Sequence, residues 1–594
     1  MNSYLPEDAK ERLAHYVYRG EDHSYLYNHM WRPLCRSVVR HLPVWLAPNV
    51  ITVTALVLVS ITHALLAYYM PKLTVKETNY LDRDESRRTG LPFAKEFLPP
   101  PPAYVLVLAA VALFLYQLLD NLDGHQARRT GTSSPLGLLM DHGCDAVNCV
   151  IGGLSVAAVV SAGPCWKTWT ITLSTVIVFF LNTWEEYYRG VLVLPVINGP
   201  NEGIVIAIGV YLWTAWVGGP QWWVDNTLEV PTRWLPRVLR QSPPQAAVAI
   251  ENYVLRTVCP YLTSHNDDDG GFAAVPFFFN LNCSSAYIAH PPRPTRVLFA
   301  PDPVTARYEE AVAGSVWAGH GWVQRTVLRL YGGSQEGLRI RYNTLGVAFM
   351  TVTAAMTCAG NVYQVYRAIR RASAAELAHE PGYGRFHARF PFLHALSKLI
   401  PLVVITLMGN VWFLTSQEDV FRRHPRLFCW TVGLLYTKLA IHLMVSHLCG
   451  AEFFPFPRTF VPFVLFGGHI CLTYLHNVGQ LRRQQLRSGG GGGGVAHVGH
   501  VNRSGSRVPT SATGAYSDYA YDLDEELILY EFFALSVVTF AHLVWNVVRG
   551  TAAVLEVPVF TVPLQKQVAL RTAIAAEKAE RANSKQKPET KKDK

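Results

Sequence analysis

Charged residues are scarce in this chain of 594 residues, at 16% against 50% hydrophobic; a soluble protein carries about a quarter. The apolar residues are also clustered, in runs near the ~20 residues that cross a bilayer as a helix. Together these features exclude a soluble globular protein and point to an all-α polytopic membrane protein. Paired cysteine is missing too: the ten cysteines are scattered with no CxxC, which argues against a zinc ribbon and a disulfide framework. Most sit inside apolar runs, as small buried hydrophobes do. No cleavable signal peptide is expected, because the first forty residues are polar and amphipathic. The net charge of +10 does not suggest nucleic acid. Its basic residues lie mostly beside apolar runs and in the tail, as at anionic membrane surfaces.

Ten spans are expected, near 50–70, 103–122, 144–163, 167–186, 203–218, 344–365, 393–415, 427–448, 457–475 and 526–548. They must be helices, since the bilayer core offers backbone groups no water. Residues 1–45 read as an amphipathic interfacial segment or an ordinary cytosolic cap, with Tyr25, Tyr27 and Trp31 interleaved with Arg19, Arg32 and Arg36. The domain order follows: spans one to five over 46–218, a polar insertion over 219–343, spans six to nine over 344–475, a Gly-rich linker over 476–525, span ten, and a basic tail over 549–594. Asp267, Asp268 and Asp269 in the insertion read as a solvated loop tip. The run Gly489 to Gly494 lacks the strand, Lys and Ser/Thr of a phosphate-binding loop, and reads as flexible linker.

The segment that carries chemistry is 120–145. Asp120 and Asp123 are spaced i, i+3 at the end of the second span, and Asp141 and Asp145 are spaced i, i+4 at the start of the third. On helices each pair projects from one face, so a hairpin can aim four carboxylates into one cavity. Carboxylates at a membrane boundary are costly unless cations neutralise them. Oxygen-only ligands favour Mg²⁺, with Mn²⁺ as the alternative, and two ions would suit a pyrophosphate. Arg128 offers a planar donor fork for phosphate. Gly124, Ala127 and Gly137 are small enough for a helix or a flat nucleotide to approach closely.

Residues 123–145 match the pattern D-G-x2-A-R-x8-G-x3-D-x3-D at every fixed position, and so the chain resembles the CDP-alcohol phosphotransferases. The flanks Ala47-Pro48-Asn49-Val50-Ile51-Thr52, Thr183 to Tyr187 and Ile197 to Gly203 resemble those of the eukaryotic choline/ethanolamine branch. The likeness is strong from about residue 10 to 218 and mainly topological beyond. It implies transfer of phosphocholine or phosphoethanolamine from CDP-choline or CDP-ethanolamine to diacylglycerol or an alkyl-acylglycerol, with release of CMP. It also implies that Asp120, Asp123 and Asp141 hold the metals, that Asp145 accepts the proton and serves as a ligand, and that Asn49 and Arg128 contact the donor. Glu186 or Glu202 would lie near the ammonium of the alcohol, with Trp184 and Tyr187 as aromatic candidates there or as interfacial anchors. A homodimer is consistent with the family.

Two rival readings are a phosphatidylinositol-type synthase, which keeps the chemistry, and a lipid or ion transporter. The eukaryote-like flanks and ten spans oppose the first. The absence of matching broken helices in two halves opposes the second. From Lys566 to Lys594 the tail holds nine Lys or Arg against four acids, which places it in the cytosol. Ten crossings then put the amino terminus and the Asp hairpin on the same side, and the insertion and linker, with the sequons at Asn282 and Asn502, in the lumen. The ending Lys591-Lys592-Asp593-Lys594 resembles a dilysine retrieval signal. The expected address is therefore the endoplasmic reticulum membrane, with the Golgi as the alternative.

Overall fold

The computed structural model describes residues 5, 9–16, 20–75, 99–194, 199–230, 338–372, 389–416, 420–453, 467–468 and 524–586. It is helical almost throughout. The chain begins with α1 (Ala9–His15) and α2 (Arg32–Val38), followed by α3 (Pro48–Tyr69), α4 (Ala103–Thr130), α5 (Pro135–Val159), α6 (Trp166–Arg189) and α7 (Ile204–Trp216). After the short α8 (Trp222–Asp225) come α9 (Tyr342–Arg371), α10 (Pro391–Ser397), α11 (Ile400–Thr415), α12 (Val420–Arg423), α13 (Pro425–Leu448), α14 (Glu525–Leu555) and α15 (Leu564–Gln586).

Among the described residues, seven helices are long and apolar enough to span a membrane: α3, α4, α5, α9, α10 joined to α11, α13 and α14. Two more expected spans are helical but less apolar or shorter. The 24-residue α6 carries Lys167, Glu185, Glu186 and Arg189. The 13 residues of α7 reach only about 20 Å at 1.5 Å per residue, short of the ~30 Å hydrocarbon core. The ninth expected span lies outside the described residues except for Gly467 and Gly468, as do the sequons, the Gly-rich linker up to residue 523 and the dilysine ending.

Helix ends follow from local chemistry. Pro401 beside the start of α11 lacks an N–H and crowds the preceding turn, so α10 stops at Ser397. Lys398 at the break pairs with Glu452 at 2.5 Å. Gly131 caps α4 at φ 64°, a left-handed conformation that glycine adopts without a Cβ clash. Ser134 then caps α5, its Oγ accepting from the Gly137 N–H at 3.2 Å, and Pro135 sits in the first turn, where its missing N–H costs nothing. These residues close the α4–α5 hairpin.

Within the bundle α3 packs along both α4 and α5, whereas α4 and α5 barely touch each other. The hairpin is therefore splayed, and its interior is where the carboxylates sit. α13 lies at the centre of the second half, 89% of its apolar window buried, against α5, α6 and α14. Gly433 of α13 lets Val150 of α5 come so close that a Cβ at 433 would lie 2.7 Å from it.

Two small strand pairs depart from the all-α pattern. β1 (Gly20–Asp22) pairs in parallel with β2 (Leu192–Leu194), and β3 (Thr227–Val230) pairs antiparallel with β4 (Leu338–Arg341). The second pair clamps the two ends of the insertion together, Thr227 opposite Arg341. Closing a loop at its base makes its contents separable from the bundle. Replacing residues 231–337 by a short Gly/Ser linker is accordingly expected to give a protein with unchanged membrane insertion and a single gel-filtration peak. Aggregation of that variant would show that the bundle depends on the insertion.

The amino-terminal segment packs rather than floats. Trp31 is fully buried with its ring 5.4 Å from that of Phe114 on α4, and Leu13 joins the main core. Tyr25 and Trp45 remain exposed.

Candidate active site

Antiparallel geometry brings the two Asp pairs together. Asp120 stands ten residues before the end of α4 at Thr130, and Asp145 ten after the start of α5 at Pro135. Both therefore lie about 15 Å below the hairpin turn at 1.5 Å per residue. Ligand oxygens of Asp120, Asp141 and Asp145 lie within 4.8 Å of one another. Asp141 Oδ1 is buried with no hydrogen-bond partner among the described residues. An orphaned carboxylate oxygen in such a cluster is costly unless a cation meets it, and an all-oxygen donor set suits a hard divalent ion. The residues present fit such an ion.

The fourth carboxylate stands apart. Asp123 is 6% exposed, and its Oδ2 accepts a hydrogen bond from Thr52 Oγ1 of α3. It is thus tied to the helix that bridges the splayed pair. Asp145 is oriented by Tyr116, whose hydroxyl donates to Asp145 Oδ1 at 2.5 Å; that tyrosine, one turn before Asp120, was not singled out in the sequence. Arg128 lies one turn beyond Gly124, and a Cβ at Gly124 would sit in ordinary van der Waals contact with the guanidinium, 3.5 Å away. A Cβ at Gly137 would sit 3.7 Å from Asn49 Oδ1, which brings Asn49 of α3 beside the first turn of α5. Asn49 Nδ2 donates to Val559 O at 2.8 Å, and Lys566 Nζ donates to Gly131 O at 2.5 Å. The stretch joining α14 to α15 therefore lies against the hairpin end of the site. Ala127 is on the same last turns of α4, its carbonyl accepting from Thr132 N at 2.9 Å.

The residues expected near the ammonium are placed differently from one another. Glu202 Oε1 accepts from Ser24 Oγ at 2.6 Å and from Leu26 N at 3.4 Å, so it holds the amino-terminal arm. Its neighbour Asn201 bridges Asp22 at 2.9 Å and Gln117 of α4 at 3.0 Å. Burial raises the Asp22 carboxyl above the ordinary range. Glu186 of α6 is 4% exposed, with Oε2 3.9 Å from His142 Nδ1 of α5. His142 follows Asp141 directly, so a His–Glu pair adjoins the carboxylate cluster. Spacing within either helix gave no sign of that pairing. Trp184 is wholly buried, its indole donating to Ala395 O at 3.3 Å. The Tyr187 hydroxyl donates to Ala451 O at 3.1 Å. Both brace α6 against the second half of the bundle, which opposes a headgroup role.

The cluster lies inside the segment that resembles known proteins. Residues 45–231 match the CDP-alcohol phosphatidyltransferase family. The chain is similar to choline/ethanolaminephosphotransferase 1 of Arabidopsis thaliana, 35% identical over 238 residues that make up 40% of this chain and 54% of that protein. It is 36% identical over 223 residues to choline/ethanolaminephosphotransferase 2 of the same plant, covering 37% of this chain and 50% of that one. With cholinephosphotransferase 1 of Saccharomyces cerevisiae the identity is 31% over 248 residues, 39% of this chain and 55% of the relative. The chain spans about half the length of the curated relatives it matches.

Proposed function

With residues 45–231 a CDP-alcohol phosphatidyltransferase domain, we propose that the chain transfers phosphocholine or phosphoethanolamine from CDP-choline or CDP-ethanolamine to diacylglycerol or an alkyl-acylglycerol. CMP is the second product. The observation that carries this reading is the convergence of Asp120, Asp141 and Asp145 inside a splayed membrane hairpin. There a nucleotide arriving from the hairpin end can meet a lipid hydroxyl arriving from the bilayer. The names of the relatives support the headgroup class.

In this reading Asp120, Asp141 and Asp145 hold Mg²⁺, or Mn²⁺ in its place, as two ions, with Asp123 supporting from its Thr52 anchor. Bound there, the cations supply charge neutralisation for the pyrophosphate and polarise the phosphoryl group. Arg128 grips a donor phosphate, and Asn49 lies at the hairpin end beside the nucleotide. The lipid oxygen attacks the phosphorus that bears the choline or ethanolamine, the bond from that phosphorus to the CMP oxygen breaks, and CMP leaves with the electron pair. Asp145 takes the hydroxyl proton, positioned by Tyr116. The His142–Glu186 pair favours a second reading of that one step: a carboxylate committed to a cation is a poorer base than an imidazole held next to it.

The protein is read as a resident of the endoplasmic reticulum membrane, its site facing the cytosol and its tail carrying the retrieval signal, in homodimers formed as in the resembling family. The test of the activity is CMP release by purified protein. Joint dependence on a CDP-alcohol and a diglyceride is expected. Release with inositol and a cytidine-activated lipid instead would replace this reading with the inositol one.

A further inference from the structure

One face of α5 continues past the carboxylates. Asp141, Asp145, Asn148 and Gly152 are spaced i, i+4, i+7 and i+11, a single stripe on a helix. Asn148 Oδ1 is buried without a hydrogen-bond partner among the described residues. An amide oxygen left unpaired in an apolar interior costs about 1–3 kcal/mol, so the position is expensive unless a ligand completes it. One turn deeper, a Cβ built on Gly152 meets no heavy atom within 4 Å. This is open space, and it contrasts with the adjacent Gly153, where a Cβ would lie 2.9 Å from Thr175 Oγ1 of α6. The stripe thus passes from carboxylates to an unpaired amide to open space, and it runs farther from the hairpin turn with each step.

We infer that this stripe is the binding groove for the lipid acceptor, with Asn148 gripping its polar end and Gly152 making room for an acyl chain. The inference rests on the proposed transfer to a lipid hydroxyl and assigns residues to its acceptor side. A diglyceride offers a hydroxyl that can donate and ester carbonyls that can only accept. A carboxamide matches both, its Oδ1 accepting from the hydroxyl and its Nδ2 donating to an ester oxygen. Asn148 sits one turn below Asp145, which leaves the hydroxyl between the amide and the carboxylate cluster. Acyl chains must then run past position 152, where a small side chain keeps the groove clear.

The experiment compares Asn148→Ala, Asn148→Ser, Gly152→Ala and Gly152→Leu with the wild-type protein, all purified in the same detergent. Initial rates are measured against dioctanoylglycerol and dioleoylglycerol at saturating CDP-choline. A photoactivatable diglyceride provides a readout independent of turnover. Asn148→Ala is expected to raise KM for both diglycerides about tenfold, to weaken cross-linking to match, and to leave KM for CDP-choline unchanged; Asn148→Ser recovers part of the loss. Gly152→Leu is expected to raise KM for dioleoylglycerol at least several-fold more than for dioctanoylglycerol, and Gly152→Ala to behave as wild type. Unchanged diglyceride KM and cross-linking in Asn148→Ala, or equal effects of Gly152→Leu on the two chain lengths, would overturn the groove. A wild-type protein without diglyceride-dependent CMP release would instead overturn the transferase reading, and the cross-linking comparison would still decide the groove. Should Asn148→Ala fail to fold, Asn148→Ser and the Gly152 pair decide it on the same criteria.

Discussion

Asp145→Asn is expected to lower CMP release by about 10²–10⁴-fold, the range that general-base assistance contributes, while CDP-alcohol binding stays near wild type. The substitution keeps the volume and the partner for the Tyr116 hydroxyl, 2.5 Å away, but removes the charge and the basicity. Steady-state rates at saturating Mg²⁺, with donor binding by calorimetry, separate the two readings of the proton step. Loss of turnover with donor binding retained assigns the proton to Asp145. Loss of donor and metal binding together marks Asp145 as a ligand only, and then His142→Asn should carry the catalytic loss. Near-wild-type turnover in Asp145→Asn would remove it from the mechanism.

Asp141→Ala is expected to have a comparable effect by a different route. Its Oδ1 is buried without a partner among the described residues, so it is the oxygen in the cluster that most needs a cation. Removing a preorganised group aimed at developing charge costs about 10²–10³-fold in turnover, and here the apparent affinity for Mg²⁺ should fall as well. Asp123→Ala should be milder. Asp123 is anchored on Thr52 and lies outside the three-carboxylate cluster, and supporting groups around a metal typically contribute 10–100-fold in affinity. Mg²⁺ titrations of the two variants should therefore differ in both midpoint and plateau. Identical titrations would mean that all four carboxylates act alike.

Much of the cluster was legible in the sequence, because the spacing of Asp120, Asp123, Asp141 and Asp145 fixes helix faces locally, and a four-residue turn through Gly131 and Ser134 allows only an antiparallel return. Long-range facts were not legible. His142 meets Glu186, Asn49 meets Val559 and Glu202 meets Ser24 only through packing between segments far apart in the chain. Hydropathy also misjudged the ends of elements. α4 persists to Thr130, well beyond its apolar stretch, since Gln126, Arg128 and Arg129 are acceptable helix formers and the helix stops only where Gly131 can take a positive φ. The ends of α7, Ile204 and Trp216, by contrast lie close to those of the short 203–218 stretch that hydropathy marks. The clamp of β3 on β4 joins strands separated by more than a hundred residues, which no local pattern reveals.

The central claim is that Asp120, Asp141 and Asp145 form one divalent-metal centre that holds a CDP-alcohol. Mn²⁺ electron paramagnetic resonance on the purified protein, titrated with and without CDP-choline, tests it most directly. The account predicts bound Mn²⁺ whose affinity rises when CDP-choline is added, and loss of that signal in Asp141→Ala. Mn²⁺ binding that is indifferent to CDP-choline, or unchanged in Asp141→Ala, would contradict it.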